Sequence, residues 1–151
     1  MRPGVRLAVD VGSVRIGVAR SDPTGTLAVP ERTLDARKAW LDDLLDIVTE
    51  YEPIEILVGL PVSLDGREHA AAERVRVVTG RIAEMVAVPV RLVDERMTTS
   101  VAHTQLRNAG MTTRKGRAVV DQAAAVVMLQ GALETERATG QAPGVRVDEN
   151  G

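Results

Sequence analysis

Apolar residues follow two rhythms along this chain. Near the N-terminus they form short runs, Val5-Leu7-Ala8-Val9 and Ile16-Gly17-Val18-Ala19, either side of a polar elbow with Gly12 and Ser13 at its bend, which predicts a β-hairpin. The tight-turn set Asp22-Pro23-Thr24-Gly25 follows, and then a third short strand from Leu27 to Leu34 that Pro30 interrupts or ends. From Ala36 to Glu52 the rhythm changes. Trp40, Leu41, Leu44, Leu45, Ile47, Val48 and Tyr51 recur at three and four residue steps, an amphipathic helix that Pro53 stops.

Ile54 to Leu60 is a nearly continuous aliphatic run, the signature of a strand covered on both faces, and Pro61 ends it. A loop from Val62 to Gly66 leads to a helix over Arg67 to Met85, with Ala71, Val75, Val78 and Ile82 on one side. A second buried strand, Val88 to Val93, terminates in Asp94-Glu95-Arg96. Thr98, Thr99 and Ser100 are N-cap candidates for a helix to Asn108, closed by Gly110. Met111 to Arg117 reads as a basic loop, and Val119 to Arg137 as the last helix, with Ala123, Val126, Val127, Leu129 and Leu133 on its apolar face. Gly140 to Gly151 has no pattern and reads as a disordered tail. One domain over residues 1–139 is therefore expected, an α/β fold with a mixed five-stranded sheet and helices on both faces.

Composition narrows the chemistry. Of the 151 residues 44% are hydrophobic, yet there is no Phe, one Tyr and one Trp, so the core is aliphatic and base stacking on aromatic platforms is not the expected mode of recognition. The absence of Cys excludes disulfides, thiolate zinc and cysteine nucleophiles. With only His69 and His103, any metal would be an oxygen-ligand one, Mg²⁺ or Mn²⁺. No run is long enough for a membrane span and no signal-peptide pattern is present, so a cytoplasmic location and no membrane partner are expected. Net charge is −2, so a polyanion would need a local basic surface.

Asp10 is the first oddity, an acid among Ala8, Val9 and Val11 where a core strand would place a hydrophobe. It needs a partner: an arginine, the hairpin backbone that Gly12 leaves accessible, or a divalent cation. Asp94 and Glu95 end a strand that this topology can set parallel to the first, and ligands in open α/β sheets sit beyond the carboxyl ends of such strands. Asp121 is a third acid, on the Ala-rich early turn of the last helix, where the helix dipole alone would favour it. Clustered carboxylates repel unless cations neutralise them, and two cations about 4 Å apart are an arrangement used for phosphodiester cleavage.

The blocks LAVDVGSVRIGVA, ILVGLPVSLDG, VRLVDERMTT and VVDQAAAVVML, in this order from about Leu7 to Leu133, resemble the YqgF family, also called RuvX, of Holliday-junction resolvases and ribosomal-RNA maturation nucleases. The resemblance implies a ribonuclease H-like fold and an endonuclease in which Asp10, Glu95 and Asp121 are catalytic and hold Mg²⁺ or Mn²⁺, two ions. It implies a nucleic-acid partner, branched DNA or precursor rRNA, with Arg96 of the DER block orienting an acid or touching phosphate; the basic loop with Arg114, Lys115 and Arg117 is expected from its charge to hold the phosphate backbone. Asp94 would support the site from the other face of its strand, and Gly12, Gly59 and Pro61 would shape its border. Gln122 stands where a small polar residue is common in the family. Cutting both strands of a junction would require two sites, hence a homodimer. Two other readings fit the acids: a non-catalytic nucleic-acid-binding or assembly factor, and a nucleotide-binding module of the actin and sugar-kinase kind, for which 151 residues supply one domain where two are needed.

Overall fold

The structure is a computed structural model that describes residues 1–62, 65, 67–95 and 114–147, and of residues 114–121 the backbone alone. Among the described residues six strands and three helices follow in the order β1 (Arg6–Val11), β2 (Arg15–Ser21), β3 (Ala28–Asp35), α1 (Trp40–Tyr51), β4 (Glu55–Leu60), α2 (Ala70–Met85), β5 (Val90–Asp94), α3 (Arg114–Thr139) and β6 (Val145–Arg146). They make one sheet in the order β3-β2-β1-β4-β5-β6. β1, β4 and β5 are parallel, while β2, β3 and β6 each run antiparallel to a neighbour. This is the mixed sheet that the alternation of apolar runs predicts, with one strand more.

Strand alternation divides the apolar residues between two faces. Leu7, Val9, Ile16, Val18, Ile56, Val58, Leu60 and Leu92 pack under α1 and α2, joined by Trp40, Leu44, Ile47, Ala72, Val75 and Ile82. Leu44 and Ile47 have no exposed surface, and burial of each such side chain contributes about 1.5–3 kcal/mol. On the other face Ala8, Ala19, Ala28, Leu57 and Val93 meet Ala125, Met128, Leu129, Ala132 and Leu133 of α3. The three alanines of the sheet let α3 lie close across it. Gln130 fixes it laterally, accepting a hydrogen bond from the Ala28 amide at 2.9 Å and donating to the Thr26 carbonyl at 3.1 Å.

Several element boundaries differ from the periodicity. β3 runs through Pro30, which is tolerated because β3 is an edge strand and its pairing with β2 shifts register between Val18 and Ala19. α1 starts at Trp40 because Asp35 holds the chain in a turn, its Oδ1 accepting the Arg37 amide at 2.9 Å. Asp65 acts similarly on Arg67, and α2 starts at Ala70. Its buried stripe is Ala72, Val75, Thr79 and Ile82, with Ala71 exposed. The buried face of α3 is carried by Ala125, Met128, Leu129, Ala132 and Leu133, with Ala123 and Val127 half-buried. The expected C-terminal tail contains β6, whose Val145 pairs with Leu92. The helix expected from Thr98 to Asn108 lies outside the described residues.

Candidate active site

β1, β4 and β5 point their carboxyl ends at one edge of the sheet. Their register pairs Val9 with Val58 and Gly59 with Val93. Asp10 therefore sits one step beyond Val9, beside Gly59, and Glu95 lies two residues past Val93. Even-numbered positions of β1 and odd-numbered positions of β4 and β5 share the face under α3, since Ala8, Leu57 and Val93 are buried there. Asp10, Gly59 and Glu95 are thus carried to one point by three strands. Across the hairpin Asp10 is paired with Gly17, which also has no side chain.

Gly59 has a specific task. A Cβ built on it would stand 2.8 Å from Met128 Sδ and 3.0 Å from Glu95 Oε1, so glycine alone leaves Glu95 and Met128 where they are. Through this gap the Glu95 carboxyl reaches Asp10 and shares a hydrogen bond with it. Burial pushes the Glu95 carboxyl above its ordinary range and the charge of Asp94 adds to this, while the bond from Asp10 pulls the other way. Asp94, half-buried and in register with Leu60, shares by alternation the parity of Leu92.

The other expected site residues fall as follows. Asp121 stands in α3 four residues, or one turn, before the buried Ala125; its side chain is outside the described set. Gln122, next to it, donates to Thr33 Oγ1 at 2.9 Å and ties this part of α3 to the carboxyl end of β3. Arg114, Lys115 and Arg117, expected in a loop, are helical, in the first two turns of α3. The backbone of the basic segment therefore belongs to α3, the helix whose Met128 lies against Gly59. Arg96 lies outside the described residues. Gly12 closes the hairpin: its amide donates to the Arg15 carbonyl at 2.9 Å, and a Cβ there would come within 2.6 Å of that oxygen. Pro61 follows β4 at the same edge, half-buried. Among the described residues no three Asp, Glu or His side chains group closely enough to hold a metal ion. The described pair, Asp10 and Glu95, is an all-oxygen donor set, and its chemistry fits a hard divalent ion.

One cluster escaped the sequence reading. At the amino edge of the same face, Arg6, Glu55 and Arg91 stand four residues before Asp10, Gly59 and Glu95 on their three strands. Arg6 Nη2 pairs with Glu136 of α3 at 2.8 Å, Arg2 Nη2 with Glu55 at 3.0 Å, and Arg91 Nε with Glu55 at 3.2 Å; Arg2 also bonds Glu136. Arg6, Glu55 and Glu136 are buried. Burial raises the Glu136 carboxyl, but the Arg2 hydrogen bond and the charges of Arg6 and Arg2 outweigh it and hold the group below its ordinary range. The signal available in the sequence was a repeated spacing, one charged residue four before each site position on β1 and β5.

Comparison with known proteins adds three findings. The family model RuvX, described as Holliday junction resolvase, matches residues 4–135. Proteins of Streptomyces coelicolor and Nocardioides sp. that bear the name "Putative pre-16S rRNA nuclease" are each 56% identical, the first over 98% of this chain and 90% of its own length, the second over 99% of both. Among solved structures, Thermus thermophilus RuvC in complex with a Holliday junction substrate superposes with a TM-score of 0.62 at 12% identity, covering 95% of this chain and 99% of that one. Fowlpox virus resolvase, solved with Holliday junction DNA, gives 0.55 at 13% identity over 87% and 97%. At these identities the structures speak to the fold alone, a RuvC-like ribonuclease H fold.

Proposed function

Because the chain belongs to the RuvX family, we propose that it is a metal-dependent endonuclease that hydrolyses phosphodiester bonds of precursor 16S rRNA in the cytoplasm. The observation that supports this best is the approach of Asp10 and Glu95 through the gap at Gly59. That gap joins all four motif blocks, through Asp10, Gly59, Glu95 and Met128, and a purely structural role for the acids gives it no purpose. The RNA substrate rests on the relatives' shared name and their identity of 56% across nearly the whole chain.

Asp10, Glu95 and Asp121 would hold Mg²⁺ or Mn²⁺, two ions in all. Such ions, when bound, activate water and stabilise the leaving oxygen. The chain's own residues supply placement. Asp10 sits on the central strand β1, held on both sides by β2 and β4, so its carboxylate is fixed relative to the sheet. Met128 and the rest of α3 cover Glu95 and keep bulk water from that side, which strengthens its attraction to a cation. Arg96, Arg114, Lys115 and Arg117 contact the phosphate backbone and set the register of the strand to be cut.

The family's description favours a second substrate, the four-way DNA junction. Paired incisions there need two sites and hence a two-fold dimer. A panel separates the readings: precursor rRNA fragment, single-stranded RNA, linear duplex and four-way junction, each with Mg²⁺, Mn²⁺ or chelator, for wild type and Asp10→Asn. Metal-dependent cleavage of the precursor RNA, absent in folded Asp10→Asn, is the expected result. Junction cleavage alone selects the DNA reading. Tight binding with no cleavage at any metal, unaffected by Asp10→Asn, makes the protein a binding or assembly factor.

A further inference from the structure

The carboxyl edge of the sheet carries a second, basic feature on the β2–β3 side. The β1–β2 hairpin tip, Gly12 to Val14, is exposed, and it projects two to four residues past Asp10, roughly 7–13 Å at strand rise. The turn after β3 is pinned against it, since the Ala36 amide donates to the Val14 carbonyl at 2.9 Å. That turn exposes Arg37 and Lys38 side by side with the tip. Over residues 12–15 and 32–38 the chain has four cations, Arg15, Arg32, Arg37 and Lys38, against one acid, Asp35, whereas the whole chain is net negative.

We propose that the hairpin tip and the Arg37–Lys38 turn form a phosphodiester-binding surface that extends the substrate path from Asp10 toward β3. This rests on the nuclease reading in taking a nucleic acid as the ligand. The Arg37 guanidinium is preorganised: Asp35 accepts from its Nε at 3.1 Å and its Nη2 at 3.2 Å, which orients the group. Asp35 engages Nε and Nη2 only, so Nη1 is presented to phosphate while the exposed pair stays in place. Lys38 bonds through its backbone alone among the described residues, its amide donating to the Asp35 carbonyl. The surface is bounded by Asp42 and Asp43 in the first turn of α1, which hold a polyanion to the hairpin side. At about 3.4 Å of helix axis per nucleotide, the tip meets a strand some two to four nucleotides from the bond at Asp10.

The test measures binding, so that it stands whether or not the protein cuts. Fluorescence anisotropy with precursor-rRNA and four-way-junction probes, across a salt series and with Asp10→Asn as background to prevent cleavage, compares Arg37→Gln/Lys38→Gln with an Arg146→Glu control on β6 at the opposite edge. The expected result is affinity weaker by on the order of tenfold at 0.1 M salt, with the slope of log K against log salt reduced by about 1.5–2, the share of two phosphate contacts. The control leaves both unchanged. Equal affinity and slope in the double variant, with wild type still cutting, overturn this surface and leave the nuclease reading intact. Loss of cleavage in wild type with the slope change retained removes the nuclease reading and leaves the surface. An absence of nucleic-acid binding by wild type overturns both.

Discussion

Glu95 and Glu136 lie on the same α3-covered side of the sheet, one at each edge, and their carboxyls are shifted in opposite directions. At the amino edge Glu136 is buried with Arg2 and Arg6 within bonding distance, so folding itself neutralises it. At the carboxyl edge burial and the charge of Asp94 raise Glu95, and the bond from Asp10 offsets them only in part. The same residue type, once on α3 and once beneath it, is a structural cement at one end and a buried acid with a raised carboxyl at the other. What differs is the parity partner four residues away on each strand: Arg6 for Asp10 and Arg91 for Glu95. The arginines of β1 and β5 are placed where the fold needs them and kept four residues from the site.

Amide substitutions should therefore separate the two edges. Asp10→Asn is expected to lower cleavage at least 10²–10³-fold, the scale of losing one preorganised electrostatic group at a reacting centre, with the folded state kept. Glu136→Gln is expected to do the converse. It leaves Arg6 buried beside a neutral amide and should cost about 3–5 kcal/mol in urea unfolding, while the folded fraction cuts at the normal rate. If Glu136→Gln proved as stable as wild type, the amino-edge cluster would not be what holds α3 down. Acidification affects this edge too: Glu136, held below its ordinary range, contributes stability above that range, and the contribution is lost as pH falls through it.

Gly59→Ala tests the carboxyl edge by space alone, without touching a charge. The added methyl meets Met128 Sδ and Glu95 Oε1, and something must move. Overpacking of this kind costs about 1–3 kcal/mol, toward the lower figure because both neighbours are flexible side chains. Cleavage should fall further than stability, because Glu95 is the group displaced. A loss of stability with full activity would show Met128 to be the one that yields.

The hairpin, the buried strand Glu55–Leu60 and the long helices were legible because each has a periodicity that its environment reinforces. Asp10 is conspicuous as an acid in an apolar run, and the motif blocks add Glu95, which the fold brings to Gly59 beside Asp10, and Asp121, whose side chain lies outside the described residues. Boundaries failed where side chains outvoted periodicity: Asp35 and Asp65 capture the next amides but one and delay α1 and α2. The buried face of α3 departs from the periodicity at Ala123 and Val127, which are half-buried, because Ala and Val fill both sides of this helix and no contrast marks the inward one. The role of Gly59 was hidden for a different reason. A glycine announces that room is needed, and only tertiary contact tells that the room is for Glu95. Pairing of Val145 with Leu92 was likewise invisible in so short a segment.

The finest contrast between the edges is in their response to pH. Glu95 is raised, so the folded chain binds its proton more tightly than the unfolded chain does. Below the ordinary glutamate range both states are protonated and the group costs nothing. As pH rises through that range to the raised value, stability attributable to Glu95 falls, and above it the cost is constant. Glu95→Gln retains a hydrogen bond to Asp10 and removes the charge. The metal-free variant should melt a few °C above wild type at pH 7–8, with the gap closing toward pH 4. Mg²⁺ should raise the melting temperature of wild type and leave that of Glu95→Gln nearly unchanged, because a cation relieves the same repulsion that the amide removes. A gap that persists at pH 4 would mean that the glutamine packs better for reasons unrelated to charge, and the opposition between Glu95 and Glu136 would then be one of packing.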